Sequence, residues 1–118
     1  MSNNETKLQQ EIRLAIGKIP TLRLFRNQVG QLPDPRTGRY VQFGLAKGSS
    51  DLIGFKKIKI TEDMIGQEIA QFVSIEIKTE KGKLTPQQNN WLNFINKSGG
   101  ITGVARSIKD VFNILSLS

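Results

Sequence analysis

Residues Phe72-Val73-Ser74-Ile75-Glu76-Ile77-Lys78-Thr79 set a carboxylate and an ammonium two positions apart inside an otherwise apolar run. Side chains alternate across an extended chain, so Val73, Ile75 and Ile77 face one side and Glu76 and Lys78 the other. The pattern also fits a plain ion pair on a strand whose second face is wet, as antiparallel sheets often have. A second segment, Gly48-Ser49-Ser50-Asp51-Leu52-Ile53, puts an acidic residue where a glycine- and serine-rich turn enters an apolar strand. Alone, an Asp at a strand entry is ordinary turn chemistry. Together, on two adjacent strands, the segments can bring two carboxylates and a cation to one point. That set suits Mg²⁺, which takes a few carboxylates and completes its octahedron with water and substrate phosphate. Such a centre activates water and neutralises charge on a pentavalent phosphate, with Lys78 orienting the water or stabilising the transition state. The reaction open to these groups is phosphodiester hydrolysis.

The rest of the composition narrows the chemistry in the same direction. The 118 residues include no cysteine and no histidine. Disulfides, thiolate zinc sites, serine triads and histidine-ligated catalytic zinc are therefore excluded, and catalysis must use carboxylates, lysine and an oxygen-bound metal. No organic cofactor is expected. The formal net charge of +7 favours a polyanionic partner, nucleic acid foremost, although basic domains also carry charge for solubility. Apolar stretches are too short to span a membrane, and Met1–Lys7 lacks the basic-then-apolar layout of a signal peptide. The expected location is the cytoplasm, that of a bacterial host if the gene belongs to a phage.

The elements that must position these groups can be read from periodicity. Residues 4–18 predict an amphipathic helix with Leu8, Ile12, Ala15, Ile16 and Ile19 on its stripe, ended by Gly17 and Pro20. Leu22–Asn27 reads as a strand. Val29–Tyr40, dense in turn formers at Pro33-Asp34-Pro35-Arg36-Thr37-Gly38, reads as a long hairpin loop. Short strands follow at Tyr40–Phe43 and Leu52–Phe55, separated by the loop Gly44–Ser50. A mobile link around Thr61–Gln67 leads to the strand Gln71–Thr79. Thr85-Pro86 opens a helix with threonine as cap, proline in the first position and Gln88 to close a capping box. It carries Gln88, Trp91, Leu92 and Ile95 on one face and stops at Ser98-Gly99-Gly100. Ile101–Ala105 is a strand, and Ser107 starts a last helix with Ile108, Val111, Phe112 and Leu115 inward. The length suits one α/β domain over residues 1–118, with a mixed β-sheet flanked by helices.

Taken in order, Asp51 and then Glu76-Ile77-Lys78 resemble the PD-(D/E)XK nuclease signature, and more closely that of the VRR-NUC domain. The resemblance extends through Glu11 in the first helix, Phe25-Arg26-Asn27-x-x-Gly30, Phe43-Gly44, Lys47–Gly54, Phe72–Lys78, Leu84-Thr85-Pro86-x-Gln88 and Gly99-Gly100. Ser50 stands where the superfamily name has proline, a position that shapes the turn rather than binding metal. The resemblance implies a restriction-endonuclease-like core and a Mg²⁺- or Mn²⁺-dependent endonuclease. Its metal ligands would be Asp51, Glu76 and the Ile77 carbonyl, joined by Glu11, with Lys78 as catalytic lysine and Glu11 and Gln88 as auxiliary groups of the centre. It further implies a stand-alone, phage-type homodimer acting on branched DNA such as four-way (Holliday) junctions.

Read without that resemblance, Glu11 is equally a solvated flank residue and Gln88 a plain cap. Arg36 and Arg39 in the long loop, Lys47 before the catalytic turn, and Lys81 and Lys83 after the Glu-x-Lys strand are candidate DNA contacts. Basic residues there suit phosphate positioning, which carries no sequence information; each also fits a solvated surface. Trp91 reads as core rather than a base-stacking platform. The competing reading is a non-catalytic DNA-binding module that keeps the fold; retention of Asp51, Glu76 and Lys78 together argues against it.

Overall fold

The computed structural model describes residues 3–117, whose regular elements run α1 (Asn3–Ile16), β1 (Leu22–Arg26), β2 (Gly30–Pro33), β3 (Tyr40–Phe43), β4 (Leu52–Lys56), β5 (Val73–Ile77), α2 (Pro86–Lys97), β6 (Ile101–Ala105) and α3 (Ile108–Ile114). A short 3-10 turn, Glu62–Met64, interrupts the segment read as a mobile link. The α/β class holds. The strands pair as three two-stranded ladders: β1–β4 and β2–β3 antiparallel, β5–β6 parallel. Asp51 immediately precedes β4 of the first of these ladders, and Glu76 lies on β5 of the parallel one. No helix there is long and apolar enough to cross a membrane. The chain forms two compact units, Met1–Ile58 and Lys59–Ser118.

In the first unit, α1 is built from strong helix formers, with Glu5 in its first turn and Arg13 in its last, each favourable to the helix dipole. Gly17 N–H donates to the Arg13 carbonyl at 2.9 Å and the chain then turns into β1. The half-buried residues of α1 are Gln9 and Ile16, one face of the helix; Glu11 is exposed. The β1–β4 register sets Phe25 opposite Ile53 and Arg26 opposite Leu52. Phe25 and Phe55 meet diagonally across the ladder, ring centroids 6.4 Å apart. The stretch expected as one long loop instead contains β2, which pairs with β3 from Gly30↔Phe43 to Pro33↔Tyr40. The turn formers are confined to the tip. There Asp34 accepts from Gly38 N–H at 2.8 Å, and Gly38 takes a positive φ of 72°. Pro33 is tolerated because a two-stranded hairpin offers it an edge position.

The second unit is a strand–helix–strand unit with a third helix. Thr85 Oγ1 accepts from Gln88 N–H at 3.1 Å and Gln88 Oε1 accepts from Thr85 N–H at 3.0 Å, the reciprocal capping box expected from sequence. At the other end Gly99 takes φ 98° and Gly100 N–H returns to the Ile95 carbonyl at 3.0 Å, closing α2 as Ser98-Gly99-Gly100 predicts. Bonds from Ile101 N–H to the Phe72 carbonyl (2.8 Å) and from Lys78 N–H to the Ala105 carbonyl (3.0 Å) prolong the β5–β6 pairing at both ends. Leu92, Ile95 and Ala105 form its buried core. α2 covers the face of β5 carrying Ser74 and Glu76, while α3 packs on the opposite face of β6. Gly103 makes that second packing possible, since a Cβ there would lie 2.5 Å from Ile114 Cδ1. Ser107 caps α3 by accepting from Asp110 N–H at 3.1 Å.

Candidate active site

Glu76 and Lys78 occupy the face of β5 that α2 covers, as strand alternation requires, while Val73 and Ile77 on the other face are exposed. Within that half-buried setting the Glu76 carboxylate has two cationic or donor neighbours. Lys78 Nζ stands 3.8 Å from Glu76 Oε1, and Gln88 Nε2 donates to the same oxygen at 2.9 Å. Gln88 can only donate there: its own Oε1 is committed to the Thr85 N–H, which fixes the amide orientation. One residue thus both closes the helix cap and aims Glu76. Both contacts fall on Oε1, so Oε2 is the oxygen left for a cation. Trp91 belongs to the same packing, donating from Nε1 to Ser74 Oγ at 2.8 Å, two residues before Glu76.

Asp51 belongs to the first unit. Its carbonyl accepts from Asn27 N–H at 2.8 Å, which continues the β1–β4 pairing one step past Arg26 and Leu52. Its side chain is exposed and borders an open cavity of about 300 Å³, also lined by Gln9, Arg26, Asn27, Gln28 and Val29. The loop before it starts at Gly44, whose φ of 80° and close approach to the Gln28 carbonyl exclude a side chain; a Cβ would lie 2.3 Å from that oxygen. The turn at Ser49 N–H to Ala46 carbonyl (2.9 Å) then leads through Ser50 to Asp51.

The structure brings together Glu76, Lys78 and Gln88 around one carboxylate. Asp51 stands with the cavity of its own unit, where α1 contributes Gln9, two residues before the exposed Glu11. Of the expected DNA contacts, Arg36, Arg39, Lys47, Lys81 and Lys83 are all exposed. Arg36 is held by Asp34, its Nε 3.5 Å from the carboxylate. Lys81 lies in the turn after β5, which Arg106 fastens by donating from Nη1 to the carbonyls of Thr79, Glu80 (3.3 Å) and Gly82 (2.8 Å). Sequence reasoning passed over Arg26, Gln9 and Gln28 at the cavity and Arg106 behind the turn. Arg26 and Asn27 carried a signal in Phe25-Arg26-Asn27; the others had none, because only the fold places them.

Among the described residues no three carboxylates gather into one metal cluster. Each unit offers hard carboxylate oxygen, exposed at Asp51 in the first and half-buried at Glu76 in the second, the donor type that Mg²⁺ and Mn²⁺ accept. The model of the VRR-NUC domain family matches residues 3–109, nearly the whole chain. No curated protein and no solved structure matches.

Proposed function

The chain belongs to the VRR-NUC domain family, a nuclease-type, DNA-processing family, and from that premise we propose that it is a divalent-metal-dependent endodeoxyribonuclease selective for branched DNA. The observation that carries the catalytic part is the Glu76 carboxylate, held on a covered sheet face between the Gln88 amide and the Lys78 ammonium. In this reading Asp51, Glu76 and the Ile77 carbonyl are the ligands of a Mg²⁺ or Mn²⁺ ion. When bound, that ion supplies Lewis-acid charge to the scissile phosphate and lowers the pKa of the attacking water. The protein's own groups do the rest. Gln88 holds Glu76 in one rotamer, so that Oε2 keeps its direction as charge develops. Lys78, with its side chain only 18% exposed, presents its ammonium to the phosphate oxygens from a half-buried position, where its charge acts more strongly than in open water. Arg26 at the Asp51 cavity and Lys47 in the first unit, and Lys81 and Lys83 in the second, position the backbone through phosphate contacts. Glu11 enters only as an auxiliary group.

We further propose that two copies act together, each cutting one strand of a four-way junction. Support comes from the β2–β3 hairpin, which leaves Leu32 62%, Tyr40 68% and Val41 52% exposed, apolar surface of the kind a symmetric partner covers. The test is cleavage of labelled duplex, single-stranded, flapped and four-way-junction DNA with Mg²⁺ or Mn²⁺. Paired, metal-dependent cuts confined to branched substrates are expected. Metal-independent binding of every substrate without cleavage would instead establish a non-catalytic module.

A further inference from the structure

We infer that Asn27 is a positioning residue for Asp51, acting through the loop Leu45–Ser50. The inference rests on the proposed role of Asp51 in holding the metal. Asn27 follows β1 directly, and its hydrogen bonds reach across 18 to 24 positions of sequence. Its Oδ1 accepts from Leu45 N–H at 3.0 Å, where the loop begins. Its Nδ2 donates to Ser49 Oγ at 2.7 Å and to the Ser50 carbonyl at 2.9 Å, where the loop ends. Its backbone N–H donates to the Asp51 carbonyl at 2.8 Å. One residue therefore clamps both ends of the loop and the peptide unit of Asp51 itself.

The chemistry of the side chain is specific to this task. A primary amide offers an acceptor and two donors on one rigid plane; a carboxylate has no donor for Ser50, and a hydroxyl cannot span both loop ends. The loop has little else to hold it. Its residues are exposed apart from half-buried Ser49, and the residue before it, Gly44, takes a positive φ. An exposed carboxylate on such a loop would sample many directions, and ordering it on metal binding would cost affinity. With Asn27 in place, that ordering is built into the apo protein.

The experiment measures Mn²⁺ binding calorimetrically, without DNA, for wild type, Asn27→Ala, Asp51→Asn and the double variant. Amide hydrogen exchange at Leu45 is followed alongside. Outer-shell partners of metal ligands are worth roughly 10–100-fold in affinity. Asn27→Ala is expected to weaken Mn²⁺ binding by about ten-fold and to expose Leu45 N–H to exchange. In the Asp51→Asn background the same change is expected to add nothing. Ser49→Ala, which removes a single bond and keeps the backbone partners, gives a smaller loss in the same direction and stands in if Asn27→Ala does not fold. Unchanged Mn²⁺ affinity in Asn27→Ala or Ser49→Ala, beside a weakened Asp51→Asn, overturns the positioning role alone. An equal loss with and without Asp51 also overturns it, because Asn27 would then act elsewhere. If Asp51→Asn itself binds Mn²⁺ as wild type does, the metal-ligand reading of Asp51 fails first and the inference falls with it.

Discussion

Gln88 separates stability from chemistry at a single position. Its carbonyl oxygen caps α2 and its amide nitrogen holds Glu76. In Gln88→Glu, a carboxylate oxygen can still accept the Thr85 N–H, but the donor to Glu76 becomes a second negative charge. Thermal unfolding is expected to change little, while the metal requirement for cleavage rises by roughly 10–100-fold. Thr85→Ala gives the opposite pattern: about 1 kcal/mol of stability is lost with the cap, measured by urea unfolding, and cleavage by the folded fraction persists. The capping box was legible in Leu84-Thr85-Pro86-x-Gln88, since all its partners lie within one helical turn. The family resemblance places Gln88 among the auxiliary groups of the centre, and its bond to Glu76 is one way that role is realised. Whether that bond forms depends on how α2 is seated over β5, which local spacing does not encode. The same limit applies to Asn27, named in the Phe25-Arg26-Asn27 motif, whose bonding partners are remote in sequence.

At the scale of elements, glycine placement decides how closely α3 approaches β6. Gly103 lets α3 pack on β6, and a methyl group there would collide with Ile114 Cδ1 at 2.5 Å and Cγ1 at 2.7 Å. Gly103→Ala is expected to cost about 1–3 kcal/mol, read from the denaturation midpoint, because the helix must shift or the isoleucine change rotamer. Helices α1 and α2 and most strands were legible from apolar periodicity and cap residues. β2 was not: Gly30 and Pro33 bound a four-residue strand whose composition is that of a turn. What makes it a strand is pairing with Tyr40–Phe43, a tertiary fact. Which edges pair, β1 with β4, β2 with β3 and β5 with β6, is likewise not written in the order of elements along the chain. Strand alternation, by contrast, placed Glu76 and Lys78 on one face correctly, because it follows from backbone geometry alone.

For the whole molecule, the excess of positive charge makes DNA affinity depend on counterion release. Each phosphate contact contributes about 0.9 to the slope of log affinity against log salt. Replacing both Lys81 and Lys83 by Ala is expected to flatten that slope by about 1.8 if each touches a phosphate, with an equal loss on all DNA structures. Leu32 and Val41 face each other across the β2–β3 ladder, and the proposed dimer predicts that Leu32→Asp with Val41→Asp sediments as a monomer where the wild type does not. The most direct test of the account is the single-turnover cleavage rate of a four-way junction in Mn²⁺ by wild type and Glu76→Ala, each at saturating protein. The expected result is a wild-type rate that vanishes without the metal and a loss of at least about a thousand-fold in the variant, or about 4 kcal/mol in the barrier. Metal-dependent cleavage at the wild-type rate by Glu76→Ala would contradict it, because the carboxylate that Gln88 and Lys78 converge on would then take no part in the reaction.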